Sequence, residues 1–124
     1  MMQPLKKQIK PFLKPFEILG KGLWWAIKKE QSFRLQLVVA FCVIFAMFWF
    51  PLSAVERAIC WLIIVLVLGL ELLNSQLEGM LDMFQPCRDP RIKKIKDLSC
   101  AAVGVASLGS VAVGLLIFLP YLIK

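Results

Sequence analysis

One two-faced segment and three long apolar runs divide the chain. From Ile9 to Ile27, the residues Ile9, Phe12, Leu13, Phe16, Leu19, Leu23 and Ile27 fall within about 120° on a helical wheel, and Lys7, Lys10, Lys14, Glu17, Lys21 and Lys28 take the opposite side. This pattern predicts an amphipathic helix over residues 5–29 lying in a membrane interface, with Trp24 and Trp25 at headgroup depth. Pro11 and Pro15 are expected to delay or kink its beginning.

The first apolar run, Phe33 to Phe50, holds Gln36 as its lone uncharged polar group and ends at Pro51, which predicts a first span over residues 32–50. A second run from Ala58 to Leu70 continues without a proline, as it gains charge, towards Pro86, so residues 54–84 read as one helix that crosses the bilayer and emerges from it. QPCRDPRIKKIK, within residues 85–96, has two prolines and five basic residues and reads as a cytoplasmic loop. Residues 97–123 form the last predicted span, with no charge from Leu98 to Ile123. Its small residues, among them Gly104, Gly109 and Gly114, suit close packing on another helix. The whole of 1–124 thus reads as a single all-α membrane domain of three transmembrane helices plus an interfacial one.

Composition sharpens this picture. The chain has 124 residues, 60% of them hydrophobic, and a mean hydropathy of +0.77, too apolar for a water-soluble core of this size. The net charge of +7 points away from nucleic acid, because the basic residues flank apolar runs, and towards anionic lipid headgroups or phosphates. Cys42, Cys60, Cys87 and Cys100 lie far apart and His is absent, so neither a zinc site nor a disulfide framework is signalled. No cleavable leader is expected, because the first long apolar run follows Arg34 and ends without a small-residue cleavage motif. Residues 1–34 carry eight Lys/Arg and residues 85–97 carry five, whereas the first connection has Arg57 and the tail has Lys124. The N-terminus is therefore expected on the cytoplasmic side of a bacterial inner membrane and the C-terminus outside.

Candidate chemistry lies on the second predicted span. On a helical wheel Glu71, Asn74, Glu78 and Asp82 share an arc of about 80°. A carboxylate at membrane depth costs at least about 3 kcal/mol, so solvation is a poor account of Glu71, and function is the default reading. Glu30 and the cluster Arg88, Lys93, Lys94, Lys96 and Asp97 fall at the same predicted interface. Carboxylates can hold Mg²⁺ through a few oxygens while lysines neutralise phosphate, a combination suited to phosphoryl transfer from a metal-nucleotide. No glycine-rich phosphate loop or soluble-kinase element is present, so such chemistry must be built on the membrane helices. A small proton-coupled transporter using Glu71, or a scaffold held together by the stripe, remains open at this point.

The chain resembles the small prokaryotic diacylglycerol kinases and their relatives, the undecaprenol kinases. The resemblance is carried by Gly20-Lys21-Gly22, Glu30, Phe33-Arg34, Glu71-Leu-Leu-Asn74-Ser75 with Glu78 and Asp82, and Lys96-Asp97 ahead of a small-residue span. It implies a homotrimer with active sites shared between subunits at the cytoplasmic surface, transferring the ATP γ-phosphate to a lipid hydroxyl. It further implies Glu71 as general base with Asn74 orienting the reacting groups, and Glu30 and Glu78 as ligands of the Mg²⁺ that accompanies ATP. Lys96, Asp97, Asp89, Arg88 and Lys21 would meet the nucleotide, and Lys14, Trp25, Phe33 and Arg34 the lipid. Pro11 stands where some members have a basic residue, Gln36 where others have Glu or His, and Cys87-Arg88-Asp89 replaces a loop that often carries His. The ending Gly114-Leu-Leu-Ile-Phe-Leu-Pro120 and Leu70-Glu71-Leu-Leu-Asn74 look more like the undecaprenol branch. Diacylglycerol, the family's name activity, is the expected substrate.

Overall fold

The computed structural model describes residues 2–84 and 89–123, with the backbone alone for residues 2–6 and 9. They form four helices, α1 (Met2–Lys29), α2 (Gln31–Trp49), α3 (Ala54–Asp82) and α4 (Pro90–Ile123). The 19 residues of α2 extend about 28 Å, close to the thickness of a hydrocarbon core. The 29 and 34 residues of α3 and α4 extend about 43 and 51 Å, so both run well past it. These three helices are long and apolar enough to cross a membrane.

Helix α1 begins at Met2, upstream of both prolines, and passes through Pro11 and Pro15, so they do not delay its start. Each proline removes one i→i−4 donor, and the residues whose carbonyls lose it, Lys7 and Pro11, are both exposed. The α1–α2 corner turns on one non-helical residue, Glu30, with φ −109° and ψ 108°. Its N–H donates to Ala26 O at 2.8 Å and its carbonyl accepts from Arg34 N at 3.2 Å. Arg34 Nη1 donates to the carbonyls of Ile27 and Lys28, both at 3.2 Å, satisfying acceptors at the end of α1 that have no helical donor. Ala26 and Phe33 are buried on the two sides of this corner.

At the other end of the bundle, Pro51 forces Phe50 into extended backbone (φ −91°, ψ 147°) and α2 stops. Helix α3 then starts on a capping box, in which Ser53 Oγ accepts from Glu56 N at 3.2 Å and Ser53 N donates to Glu56 Oε1 at 3.0 Å. Tyr121 Oη donates to the same Glu56 oxygen at 2.7 Å and pins the end of α4 to the start of α3. Phe50 lies edge-on to Phe118, with ring centroids 5.9 Å apart. The buried cluster Ala40, Met47, Leu52, Cys60, Ile64 and Ile117 fills this half of the bundle.

Helix α4 packs mainly along α3. It begins at Pro90, so the segment read from sequence as a loop over 85–96 is helical from that residue, and Lys93, Lys94 and Lys96 lie on its first turns. Asp89 supplies the reason. Its Oδ1 accepts from Arg91 N at 3.0 Å and its carbonyl accepts from Ile92 N at 3.1 Å, while Pro90 takes the first helical position, where no N–H is needed. Bonds from Arg91 also hold the Asp89 carboxyl below the usual carboxylate range. The cap is therefore fully charged above that range and is lost only as pH falls through the lowered value. Asp89→Ala is expected to fray the first turn, read as faster amide exchange at Arg91 and Ile92 with later turns unchanged. Unaltered exchange would show that Pro90 alone starts the helix.

Most large apolar side chains on α2, α3 and α4 face outward, including Phe48, Leu62, Leu108 and Leu116. This is the surface of a chain whose solvent is lipid or protein.

Candidate functional site

Glu71 lies about 26 Å along α3 from Ala54, within the length of a hydrocarbon span, whereas Glu78 and Asp82 lie about 36 and 42 Å along, beyond it. Exposure follows depth: Glu71 is 4% and Asn74 8% exposed, Glu78 is half-buried and Asp82 exposed. The stripe thus passes from the buried middle of α3 to its exposed end. Its members differ in chemistry because they differ in solvation.

Each member is held by a different neighbour. Gln36, projecting from α2, donates from Nε2 to Glu71 Oε2 at 3.1 Å, and its own Oε1 is buried without a partner among the described residues. Asn74 Nδ2 donates to Glu78 Oε1 at 3.4 Å, one turn along α3, and Ser99 Oγ on α4 donates to Asn74 Oδ1 at 2.7 Å. Lys96 Nζ, one turn before Ser99, pairs with Asp82 Oδ1 at 2.6 Å.

Glu30 is drawn to the same place. The negative charges of Glu78 and Glu30 both act on Glu71, so the α1–α2 corner brings a third carboxylate to the stripe. Glu30 occupies the cap position of α2, yet its side chain makes no capping hydrogen bond and remains available to a ligand. Among the described residues the ion pairs are Asp89–Arg91 and Asp82–Lys96, so Glu30, Glu71 and Glu78 have no cationic partner there. Three carboxylates gathered without a counter-ion repel one another. That donor chemistry fits a divalent cation. Among the described residues no set of three acidic, His or Cys side chains is close enough to hold a metal by itself.

The other residues expected at the site are dispersed. Phe33 is 1% exposed and serves the α1–α2 corner from the interior, and Arg34 is engaged on α1 carbonyls. Trp25, Lys14 and Lys21 are exposed along α1. Lys28 Nζ lies 5.0 Å from the Trp24 ring centroid. Asp89 is committed to Arg91 through a 2.7 Å ion pair, Asp97 is exposed, and Arg88 lies outside the described residues. Two roles escaped the sequence pattern. Gln36 was visible as a lone amide in an apolar run, a group that must find a partner inside the bilayer. Ser99 had no signal beyond its place one turn after Lys96.

Next to Gln36 a cavity of about 230 Å³ opens between α2, α3 and α4, lined by Val39, Ala40, Val43, Ile64, Val67, Ser110 and Gly114 among others. It is almost wholly apolar and leads away from the charged stripe.

Comparison with known proteins identifies the chain's relatives. Residues 19–118 match the family model described as prokaryotic diacylglycerol kinase. The chain is 34% identical to the undecaprenol kinase of Bacillus subtilis over 117 residues, covering 94% of this chain and 95% of that protein. It is 32% identical to the diacylglycerol kinase of Synechocystis sp. over 127 residues, covering 98% of this chain and 73% of the relative. With the diacylglycerol kinase of Pseudomonas aeruginosa it shares 34% over 85 residues, which cover 68% and 69% of the two chains.

Proposed function

Because the chain belongs to the prokaryotic diacylglycerol kinase family and is a lipid kinase, we propose that it transfers the γ-phosphate of ATP to the hydroxyl of diacylglycerol at the cytoplasmic face of a bacterial inner membrane. The observation that carries the reading is Glu71, a buried carboxylate held by Gln36; in this reading it stands at the edge of the hydrocarbon, where a lipid hydroxyl arrives while its chains remain in the bilayer. A base in that place removes the hydroxyl proton as the oxygen attacks phosphorus. Glu30 and Glu78 would hold Mg²⁺, which when bound would supply neutralising charge to the nucleotide phosphates. Asn74 fixes the Glu78 carboxylate through the bond that it donates. Lys96 and Asp97, with Lys21 from α1, meet the nucleotide on the water side, Lys96 by exchanging Asp82 for phosphate. The apolar cavity beside Gln36 suits a lipid chain.

A second reading, undecaprenol as acceptor, draws support from the Bacillus subtilis relative, which aligns over nearly its whole length. Both lipids offer one hydroxyl at the interface, so the carboxylate stripe serves either.

Helix α1 lies on the cytoplasmic interface as an amphipathic anchor, its lysines towards anionic headgroups. Three copies assemble and share their sites. Support comes from the outward apolar faces and from Gly104, Gly109 and Gly114, where an added Cβ meets nothing within the chain and leaves room for a neighbour's helix. Light scattering in detergent is expected to report three chains per particle, and a monomer would overturn the shared site.

The deciding experiment is phosphate transfer from labelled ATP by the purified protein in mixed micelles, with diacylglycerol and undecaprenol offered separately. Labelled phosphatidic acid supports the first reading and labelled undecaprenyl phosphate the second. No product from either would return the weight to transport or scaffolding.

A further inference from the structure

Ser99 is the one described α4 side chain that reaches the buried part of the α3 stripe. Helix α4 runs antiparallel to α3 and touches the stripe twice, through Lys96 on Asp82 and, one turn deeper, through Ser99 on Asn74. The first contact is an exposed ion pair with its own long-range attraction. The second is a short bond to an amide that is 8% exposed, where water cannot stand in.

A serine inside an apolar helix ordinarily satisfies its hydroxyl on a carbonyl of its own preceding turn. Ser110 in the same helix does so, donating to Ser107 O at 2.8 Å. Ser99 instead donates across to α3. The direction of the chain follows from acceptor chemistry. An ionised Glu78 only accepts, so the Asn74 NH₂ must face it, and Asn74 Oδ1 is left as a buried acceptor that needs a donor. Among the described residues, Ser99 supplies that donor. Removing the hydroxyl frees the amide to turn its oxygen towards Glu78, where two acceptors repel.

From this geometry we infer that Ser99 is a positioning residue that, through Asn74, aims the Glu78 carboxylate at the metal accompanying the nucleotide. The inference rests on the lipid-kinase reading for its biological meaning, but the hydrogen-bond relay exists independently of the substrate. Partners that orient metal-binding side chains typically alter metal affinity by about 10- to 100-fold when removed. A packing role for Ser99 would instead lower stability or turnover alike at every metal concentration.

The test compares wild type, Ser99→Ala, Ser99→Thr and Glu78→Gln in two readouts. One is the Mg²⁺ concentration giving half-maximal lipid phosphorylation. The other is Mn²⁺ bound by the purified protein with a non-hydrolysable ATP analogue, followed by electron paramagnetic resonance. Ser99→Ala is expected to raise the half-saturating metal concentration about tenfold in both while turnover at saturating Mg²⁺ stays within about twofold of wild type. Ser99→Thr, which keeps the hydroxyl, is expected to follow the wild-type curve. Wild-type metal curves for Ser99→Ala, or equal impairment in Ser99→Thr, would overturn the assignment. If wild type phosphorylates neither lipid, the kinase reading fails by itself, and the Mn²⁺ titration still decides whether Ser99 acts on metal binding.

Discussion

Glu71→Gln is expected to leave a folded, assembled protein that still binds Mg²⁺ and ATP but phosphorylates lipid at least about 100-fold more slowly, the lower end of what a positioned general base contributes. The substitution keeps the side chain's size, and its amide oxygen can still accept from Gln36 Nε2, whose bond to Glu71 Oε2 is 3.1 Å long. What is lost is a group that takes up the hydroxyl proton. Thermal stability is expected to hold or rise, because a carboxylate 4% exposed and opposed by the charges of Glu78 and Glu30 gives way to a neutral group that avoids both desolvation and repulsion. The pairing of intact stability with lost turnover separates catalysis from scaffolding. Unchanged lipid phosphorylation in this variant would sink the assignment of Glu71 as base.

The second large effect concerns the metal. Glu30→Gln and Glu78→Gln are each expected to raise the Mg²⁺ required for half-maximal activity about 10- to 100-fold, whereas Glu71→Gln shifts it little. The two carboxylates reach the site from different helices, Glu30 from the α1–α2 corner and Glu78 from the emerging end of α3. Neither has a basic partner among the described residues, so losing either charge removes attraction for the cation without freeing a buried countercharge. Identical metal dependence in all three variants would show that base and metal ligands have been divided wrongly.

These expectations differ in how far the sequence foretold them. The stripe on α3 was legible because 3.6-residue periodicity fixes which side chains share a helix face, and because charge inside an apolar run has few explanations other than function. Its partners were not legible to the same degree. Gln36 is 35 positions from Glu71 and Ser99 is 25 from Asn74, and no local pattern states which residues of separate helices meet. The beginning of α4 was misread for a different reason. Two prolines and a cluster of lysines suggested a loop, although Asp89-Pro90 is also a helix start, with Asp as cap and Pro at the first helical position. Pro11 and Pro15 likewise suggest a delayed start, yet α1 begins at Met2 and passes through both.

The sequence by itself determined the solvent of the chain, its three spanning helices and the stripe on α3, because hydrophobic run length and helical period are local quantities that need no knowledge of neighbours. Tertiary structure alone decided that Glu30 joins Glu71 and Glu78, that Gln36 holds Glu71, that Ser99 reaches Asn74, and that Arg34 and Phe33 serve the α1–α2 corner rather than standing free. Those pairings depend on how each helix is rotated about its axis and where it crosses the next. A rotation of one residue, about 100°, changes every contact while leaving the hydrophobic pattern as it was.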